Sequence, residues 1–201
     1  MKLNLNIFEI SNIKRIPYRK DINILRAIAV LSVLLYHAEI QLFKGGWLGV
    51  DIFFVISGYL ISNIIISDLN NFTFSFKNFY ERRVRRIIPA LFSVILICLP
   101  FSYWLLTPRA MLEFSKSMIS SIFFYSNYFF QNLDFYNAEP TNVMPLLHTW
   151  SLAVEEQFYI FFPIICFVIY KYFRKYFVFF IAIIILISIY LNSTTAEIVK
   201  F

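Results

Sequence analysis

The chain has 201 residues, of which 60% are hydrophobic and 15% charged, and it carries a net charge of +6. Soluble domains are about 45–50% apolar and about 25% charged, so this composition argues against a soluble protein and favours a polytopic membrane protein. The basic residues cluster between long apolar runs, which is typical of cytoplasmic loops and argues against nucleic-acid binding.

Residues 1–23 are polar and basic and lack a short apolar core, so we expect a cytoplasmic segment rather than a removable signal peptide. A membrane-spanning helix needs about 20 mostly apolar residues. The apolar runs predict an all-α transmembrane bundle over residues 24–192, followed by a tail over 193–201. The predicted spans are 24–43, 47–67, 87–106, 150–170 and 176–192.

The apolar stretch 118–130 is too short to cross a membrane and is predicted to form a re-entrant or interfacial helix. The Lys and Arg bias places the N-terminus and the basic stretch 77–86 in the cytoplasm and the stretch 131–150 outside. If 118–130 did cross, the basic residues between 171 and 175 would lie outside, against that bias. We therefore favour the interpretation in which it does not cross.

The first predicted span carries Arg26 and His37, which lie 11 positions apart. At about 100° per residue they differ by about 20° around the helix axis, and at about 1.5 Å per residue by about 16 Å along it. A charged side chain deep in a span costs about 2.5–3.5 kcal/mol, which makes each a functional candidate. The alternative is that Arg26 reaches lipid headgroups and His37 only packs.

The second predicted span begins near Asp51 and continues through Ser57 and Gly58. Because residues 44–46 permit only a tight hairpin, Asp51 is expected at a depth similar to that of His37. A carboxylate beside an imidazole fixes its tautomer and raises its basicity. Ser57 and Gly58 are expected to permit close helix approach, and packing is the favoured interpretation of the pair.

A basic loop is predicted between the second and third spans. The planar fork of arginine suits bidentate binding of phosphate. The alternative is that the loop serves topology and anionic lipid headgroups alone. Its arginines are Arg82, Arg83, Arg85 and Arg86.

The fourth predicted span opens with polar residues. Glu155 and Glu156 are costly at the mouth of an apolar helix unless they face a cavity. Ser151 and Glu155 are four residues apart and share a helix face. The alternative is that these residues form an interfacial loop and not the start of the helix. The predicted span begins at Trp150.

Four blocks of the sequence resemble the membrane acyltransferase 3 family. They are the Arg and His of the first span, the Gly-Gly-x-x-Gly-Val-Asp-x-Phe-Phe-Val-x-Ser-Gly run at 45–58, an Arg-x-x-Arg pair, and the His-Thr-Trp-Ser-Leu-x-Val-Glu-Glu-Gln-Phe-Tyr run at 148–159. The Arg-x-x-Arg pair fits Arg82 with Arg85 or Arg83 with Arg86. Members usually carry more spans, so the resemblance implies that this chain is an N-terminal half.

The resemblance implies an enzyme of the bacterial cytoplasmic membrane that moves an acyl group, usually acetyl, from acetyl-CoA to an extracytoplasmic glycan such as O-antigen, capsule or peptidoglycan. Acyl-CoA is then a co-substrate, with no permanently bound cofactor and no metal. His37 is expected to act as general base or as a transient acyl carrier, with Asp51, Glu155 and Glu156 orienting or charge-balancing it. The expected substrate contacts are Arg26, Arg82, Arg83, Arg85 and Arg86 for the donor and Ser57, Trp150 and Ser151 for the rest of the site.

The same residues are compatible with two rival functions. Intramembrane Arg, His and Glu side chains would also suit a transporter or channel fragment. A truncated, non-catalytic half that acts only through partners is the other alternative. Dependence on acetyl-CoA separates an acyltransferase from both.

Overall fold

The computed structural model describes residues 19–133 and 143–198, and every regular element within them is helical. Residues 1–18, 134–142 and 199–201 lie outside the described residues, and with them most of the predicted N-terminal segment and parts of the predicted outer stretch and tail. The helices are α1 (Lys20–His37), α2 (Leu48–Asn70), α3 (Phe76–Leu105), α4 (Pro108–Ile122), α5 (Ser126–Gln131), α6 (Thr149–Phe173) and α7 (Phe177–Ile198).

The helices confirm a helical membrane bundle, but fewer spans stand out than the five predicted. Among the described residues, α2, α3 and α6 are long and apolar enough to cross a membrane. The apolar part of α7, Phe177–Leu191, is shorter. The helix α1 has 18 residues and ends at His37, six residues before the predicted end of the first span. It ends there because Glu39 adopts a positive φ of 58°, which starts the turn into α2.

The chain divides into two compact units, Met1–Ile160 and Phe161–Phe201. Within the first unit, α1 and α2 form an antiparallel hairpin with close backbone contact. A Cβ added at Gly49 would lie 2.4 Å from the carbonyl oxygen of Ala29, and one at Gly46 would lie 2.1 Å from that of Ser32. Small residues permit this approach. The expectation for Gly58 is wrong, because a Cβ there would meet nothing within 4 Å.

The helix α3 begins much earlier than predicted, so the expected basic loop is helical. Ser75 caps the helix, its hydroxyl accepting a hydrogen bond from the backbone N–H of Asn78 at 3.5 Å. The 30 residues of α3 span about 45 Å, which exceeds the hydrocarbon thickness of about 30 Å. The arginines therefore point from fixed faces of a helix and not from a loop.

The predicted short helix at 118–130 is two helices with a break at residues 123–125. Phe124 adopts a positive φ of 54° at the break. The Nε2 of Gln157 on α6 donates to the Phe124 carbonyl at 2.8 Å and to Oδ1 of Asn127 at 3.0 Å, while Asn127 Nδ2 donates back at 3.3 Å. These hydrogen bonds are partly buried in the protein, as non-helical backbone at membrane depth requires.

Within the first unit, the start of α6 runs antiparallel to α3. Tyr80 near the start of α3 donates its hydroxyl to the carbonyl of Ile160, 2.9 Å away. Leu91, farther along α3, packs against Leu146, which precedes α6. An antiparallel pair is what the non-crossing interpretation of 118–130 requires, and that interpretation stays a prediction.

Candidate active site

A cavity of about 250 Å³ lies between α1, α2, α3 and α6 within the first unit. We call it the arginine cavity, because three cationic side chains from two helices converge on it. Apolar side chains of α3 and α6 complete much of its wall. Its charged or hydrogen-bonding wall residues are Arg26, Arg83, Arg86, His148, Thr149, Glu155 and Tyr159.

The structure places one of the two possible Arg-x-x-Arg pairs in the cavity. Arg83 and Arg86 are three residues apart on α3 and both line its wall. Arg85 instead pairs with Glu81 at 2.7 Å, with 78% of the Arg85 side chain exposed. Arg82 is exposed as well. Of the five arginines predicted to bind the donor, Arg26, Arg83 and Arg86 line this cavity, whereas Arg82 and Arg85 do not.

Aromatic rings hold two of the cavity arginines. The guanidinium carbon of Arg83 lies 5.1 Å from the ring centre of Tyr159 and 5.7 Å from that of Phe79. The guanidinium carbon of Arg26 lies 5.2 Å from the ring centre of Phe53 on α2. Contacts of this kind are worth about 0.5–2 kcal/mol and restrict the direction of the charge. Both guanidinium groups are thus positioned before any anion binds.

The two adjacent glutamates have different surroundings. Glu155 lines the arginine cavity and accepts hydrogen bonds from the hydroxyls of Ser57 and Tyr159. Glu156 is only 7% exposed, and its Oε1 has no hydrogen-bond partner among the described residues. Neighbouring helical residues point about 100° apart, which separates the two side chains. Arg83 interacts electrostatically with both carboxylates.

His148 is a cavity residue that the sequence interpretation did not assign to the site. It is exposed at the cavity wall, but the protein around it excludes enough water to lower the pKa of its imidazole. A hydrogen bond to the backbone of Pro145 offsets this only in part. The imidazole is therefore neutral at neutral pH.

The helical spacing of the sequence indicates that His148 and Tyr159, which were not predicted as site residues, share a face with Glu155. Residues at positions i, i+4, i+7 and i+11 share one face of a helix. Four wall residues of the arginine cavity have this spacing: His148, Leu152, Glu155 and Tyr159. Ser151, which was predicted to share a face with Glu155, does not line this cavity.

His37 and Asp51 lie outside the arginine cavity. Both are exposed, and no hydrogen bond or ion pair joins them in the described part of the chain. His37 Nδ1 lies 2.9 Å from the backbone carbonyl of Val33. Because a carbonyl only accepts, Nδ1 carries the hydrogen, and in the neutral ring Nε2 keeps the basic lone pair.

A second cavity of about 220 Å³ lies between α1, α2 and α6, and we call it the apolar cavity. Ser151 lines it, with its hydroxyl donating to the carbonyl of His148 at 3.1 Å. Trp150 packs edge-on against Phe54, with ring centres 6.3 Å apart. The wall of the apolar cavity comprises Val30, Val33, Leu34, Gly49, Val50, Phe53, Phe54, Ser151 and Glu155.

Comparisons with known proteins support the resemblance. A family described as "Acyltransferase domain" matches residues 19–200. The O-acetyltransferase OatA of Staphylococcus aureus strain COL is 40% identical over 151 residues, which cover 74% of this chain and 24% of that protein. A putative O-acetyltransferase of strain MSSA476 is 41% identical over 153 residues, covering 76% of this chain and 25% of that protein. The chain thus spans about a quarter of these relatives, and no solved structure matches it.

Proposed function

The chain belongs to the acyltransferase family that matches residues 19–200, and we propose that it forms part of a membrane O-acetyltransferase. The proposed donor is acetyl-CoA from the cytoplasm. The proposed acceptor is a hydroxyl of an extracytoplasmic glycan, such as peptidoglycan, capsule or O-antigen. The names of the Staphylococcus aureus relatives support O-acetyl transfer as the reaction class.

The convergence of Arg26, Arg83 and Arg86 on one cavity is the observation that carries this proposal. Coenzyme A is a polyanion whose phosphates suit the planar donor fork of arginine. Three cations that serve topology alone would have no reason to face one cavity between helices. The aromatic contacts to Arg26 and Arg83 add pre-organisation, which reduces the cost of ordering the side chains on binding.

The proposed reaction is an acyl transfer from sulfur to oxygen. The acceptor hydroxyl oxygen attacks the thioester carbonyl carbon while a base removes the hydroxyl proton. The bond between that carbon and sulfur then breaks, and the leaving thiolate of coenzyme A takes up a proton. No net proton is consumed, and the acetyl group ends on the acceptor oxygen.

His37 is the proposed base. Its Nδ1 contact with Val33 leaves the Nε2 lone pair as the basic site. A transient acyl group on that nitrogen is the alternative route to the same products. We assign Glu155 the role of balancing charge beside the arginines, since it lines their cavity and is held by Ser57 and Tyr159. Asp51 is proposed to tune His37.

The polar start of α6 is the proposed acceptor side. Trp150 is 40% exposed at the start of α6, and Ser151 is the next residue of that helix. The proposed setting is the bacterial cytoplasmic membrane, with the start of α1 in the cytoplasm and membrane lipids around the apolar helices. In this orientation the donor enters from the arginine-rich half of α3.

The direct test is transfer of radiolabelled acetyl from acetyl-CoA to surface glycan in membranes that contain the protein. We expect label in the glycan that depends on the protein and falls when unlabelled coenzyme A competes. Label transfer that is the same with and without the protein would overturn the proposal. Transport of a solute with no dependence on acetyl-CoA would favour the transporter alternative, and donor binding without transfer would favour a non-catalytic half.

A further inference from the structure

We infer that the apolar cavity receives the acyl group of the donor thioester and that Phe53 determines the length of acyl chain it accepts. This inference rests on the proposed function. It assigns the two cavities to different parts of one donor molecule. The phosphates occupy the arginine cavity, and the acyl chain extends past Phe53 into the apolar cavity.

The two cavities adjoin each other. Phe53 and Glu155 line both of them, so one aromatic ring and one carboxylate form the partition. A molecule that fills both cavities must pass these two side chains. The thioester of an acyl-CoA whose phosphates bind Arg83 and Arg86 would then lie near the partition, where the acyl chain begins.

The walls of the two cavities suit the two ends of such a donor. Among the described residues, no basic side chain lines the apolar cavity, and seven of its nine wall residues are apolar. An alkyl chain gains free energy from burial against such a wall, whereas a phosphate would be desolvated without a partner. The volume of about 220 Å³ is several times that of a water molecule, about 30 Å³, so chains longer than acetyl fit.

The position of the Phe53 ring is fixed from one side. The guanidinium carbon of Arg26 lies 5.2 Å from the ring centre. One helical turn before Phe53, the close contact of Gly49 with Ala29 sets the distance between α1 and α2. The ring is therefore a fixed wall, and its size is expected to decide how freely the two cavities communicate.

The test compares kcat/KM for acetyl-CoA, butanoyl-CoA and hexanoyl-CoA in three variants. Phe53→Ala opens the partition, Val50→Phe fills the apolar cavity, and Phe101→Ala is a matched control on α3 that is 61% exposed. The ratio of two thioesters cancels any change in binding of the coenzyme A portion. This matters because Phe53→Ala also removes the contact with Arg26.

Each buried methylene is worth about fourfold in binding, so two are worth about fifteenfold. We expect Phe53→Ala to raise the hexanoyl-to-acetyl ratio by about tenfold or more and Val50→Phe to lower it by about tenfold. Phe101→Ala should leave it unchanged. Ratios within twofold of the unmodified protein in both cavity variants, with acetyl transfer retained, would overturn the inference. Phe53→Leu gives a milder enlargement if Phe53→Ala does not accumulate in the membrane.

A photoreactive donor tests the same inference without turnover. An acyl-CoA with a diazirine at the end of its acyl chain should label the segments 30–34 and 49–54 of the unmodified protein, and unlabelled acetyl-CoA should compete. Competed labelling on α3 alone would overturn the acyl cavity while leaving the proposed function intact. Absence of both competed labelling and acetyl transfer would overturn the proposed function and the inference together.

Discussion

The guanidinium carbon of Arg83 lies 5.1 Å from the ring centre of Tyr159, and the hydroxyl of that tyrosine donates a hydrogen bond to Glu155. A cation from α3 is thereby connected to a carboxylate of α6 through one aromatic side chain. An anion that binds Arg83 would therefore bind a guanidinium group that is connected to Glu155 through Tyr159.

The first prediction separates the two arginine pairs. Arg83→Gln together with Arg86→Gln should weaken use of acetyl-CoA by at least about a hundredfold, because each charge-assisted contact with phosphate is worth about 1.5–3 kcal/mol. Arg82→Gln together with Arg85→Gln removes the same charge from exposed positions and is the matched control. Apparent donor affinity in membranes of equal protein content is the measurement. Equal losses in both double variants would mean that the basic stretch acts only through its total charge.

The second prediction concerns the two imidazoles. His37→Ala should abolish acetyl transfer while donor binding persists, because a general base typically contributes about 10²–10⁴-fold. His148→Gln should weaken donor use more than it slows turnover, because His148 lines the arginine cavity. Separate values of kcat and KM distinguish these outcomes.

The reverse pattern would make His148 the base, and the pH profile gives an independent check. The lowered pKa of His148 means that this imidazole loses its proton at a lower pH than an ordinary one. If His148 were the base, activity would persist at acidic pH and decline only below the ordinary imidazole value of about 6.5.

The third prediction assigns different roles to the two glutamates. Glu155→Gln should lower the transfer rate strongly, because Glu155 lines both cavities and receives two hydroxyl donors. Tyr159→Phe should lower it by about tenfold, since one hydrogen bond to a charged group is worth about 1.5–3 kcal/mol. Glu156→Gln should affect accumulation in the membrane more than rate. Full activity of Glu155→Gln at matched protein levels would remove this residue from the mechanism.

The fourth prediction concerns the hairpin of α1 and α2. Gly46→Ala and Gly49→Ala should each destabilise the protein by about 1–3 kcal/mol, because the added Cβ meets backbone carbonyl oxygens of α1. Gly58→Ala is the control: its Cβ meets nothing within 4 Å, and alanine is favoured over glycine within a helix by about 0.5–1 kcal/mol. Thermal unfolding in detergent checks the order. A destabilised Gly58→Ala would contradict it.

The fifth prediction concerns orientation. Single cysteines at Lys20 and Lys77 should react with an impermeant reagent only from the cytoplasmic side, because basic residues stay inside. A cysteine at Glu39, in the turn between α1 and α2, should react only from outside. Asn137 is also predicted to lie on the extracytoplasmic side, and it is not among the described residues. Labelling of the Glu39 position from the cytoplasm would reverse the assignment.

Much of the architecture follows from residue type and local spacing, which are read directly from the sequence. The long apolar runs of α2, α3 and α6 predict helices at membrane depth, because lipid offers no partner for an unpaired backbone group. The motif that includes Glu155 also predicts that site residues lie at the start of α6. Both inferences depend only on residue type and local spacing.

Other features depended on side chains from distant segments. Arg82 with Arg85 and Arg83 with Arg86 have the same spacing, and only the position of α6 beside α3 determines which pair faces the cavity. The glycines in close contact with α1 are Gly46 and Gly49 and not Gly58, because α1 packs against the start of α2.

The break in the predicted helix at 118–130 is the clearest case of this dependence. Nothing local marks Phe124 as its site, yet its carbonyl accepts a hydrogen bond from Gln157, 33 residues later in the chain. His148 likewise lines the arginine cavity only because α3 forms the opposite wall of that cavity. Local spacing determines the helix face on which a side chain lies. Whether that side chain lines a cavity or contacts lipid depends on which element packs against the face, and that element comes from a distant part of the chain.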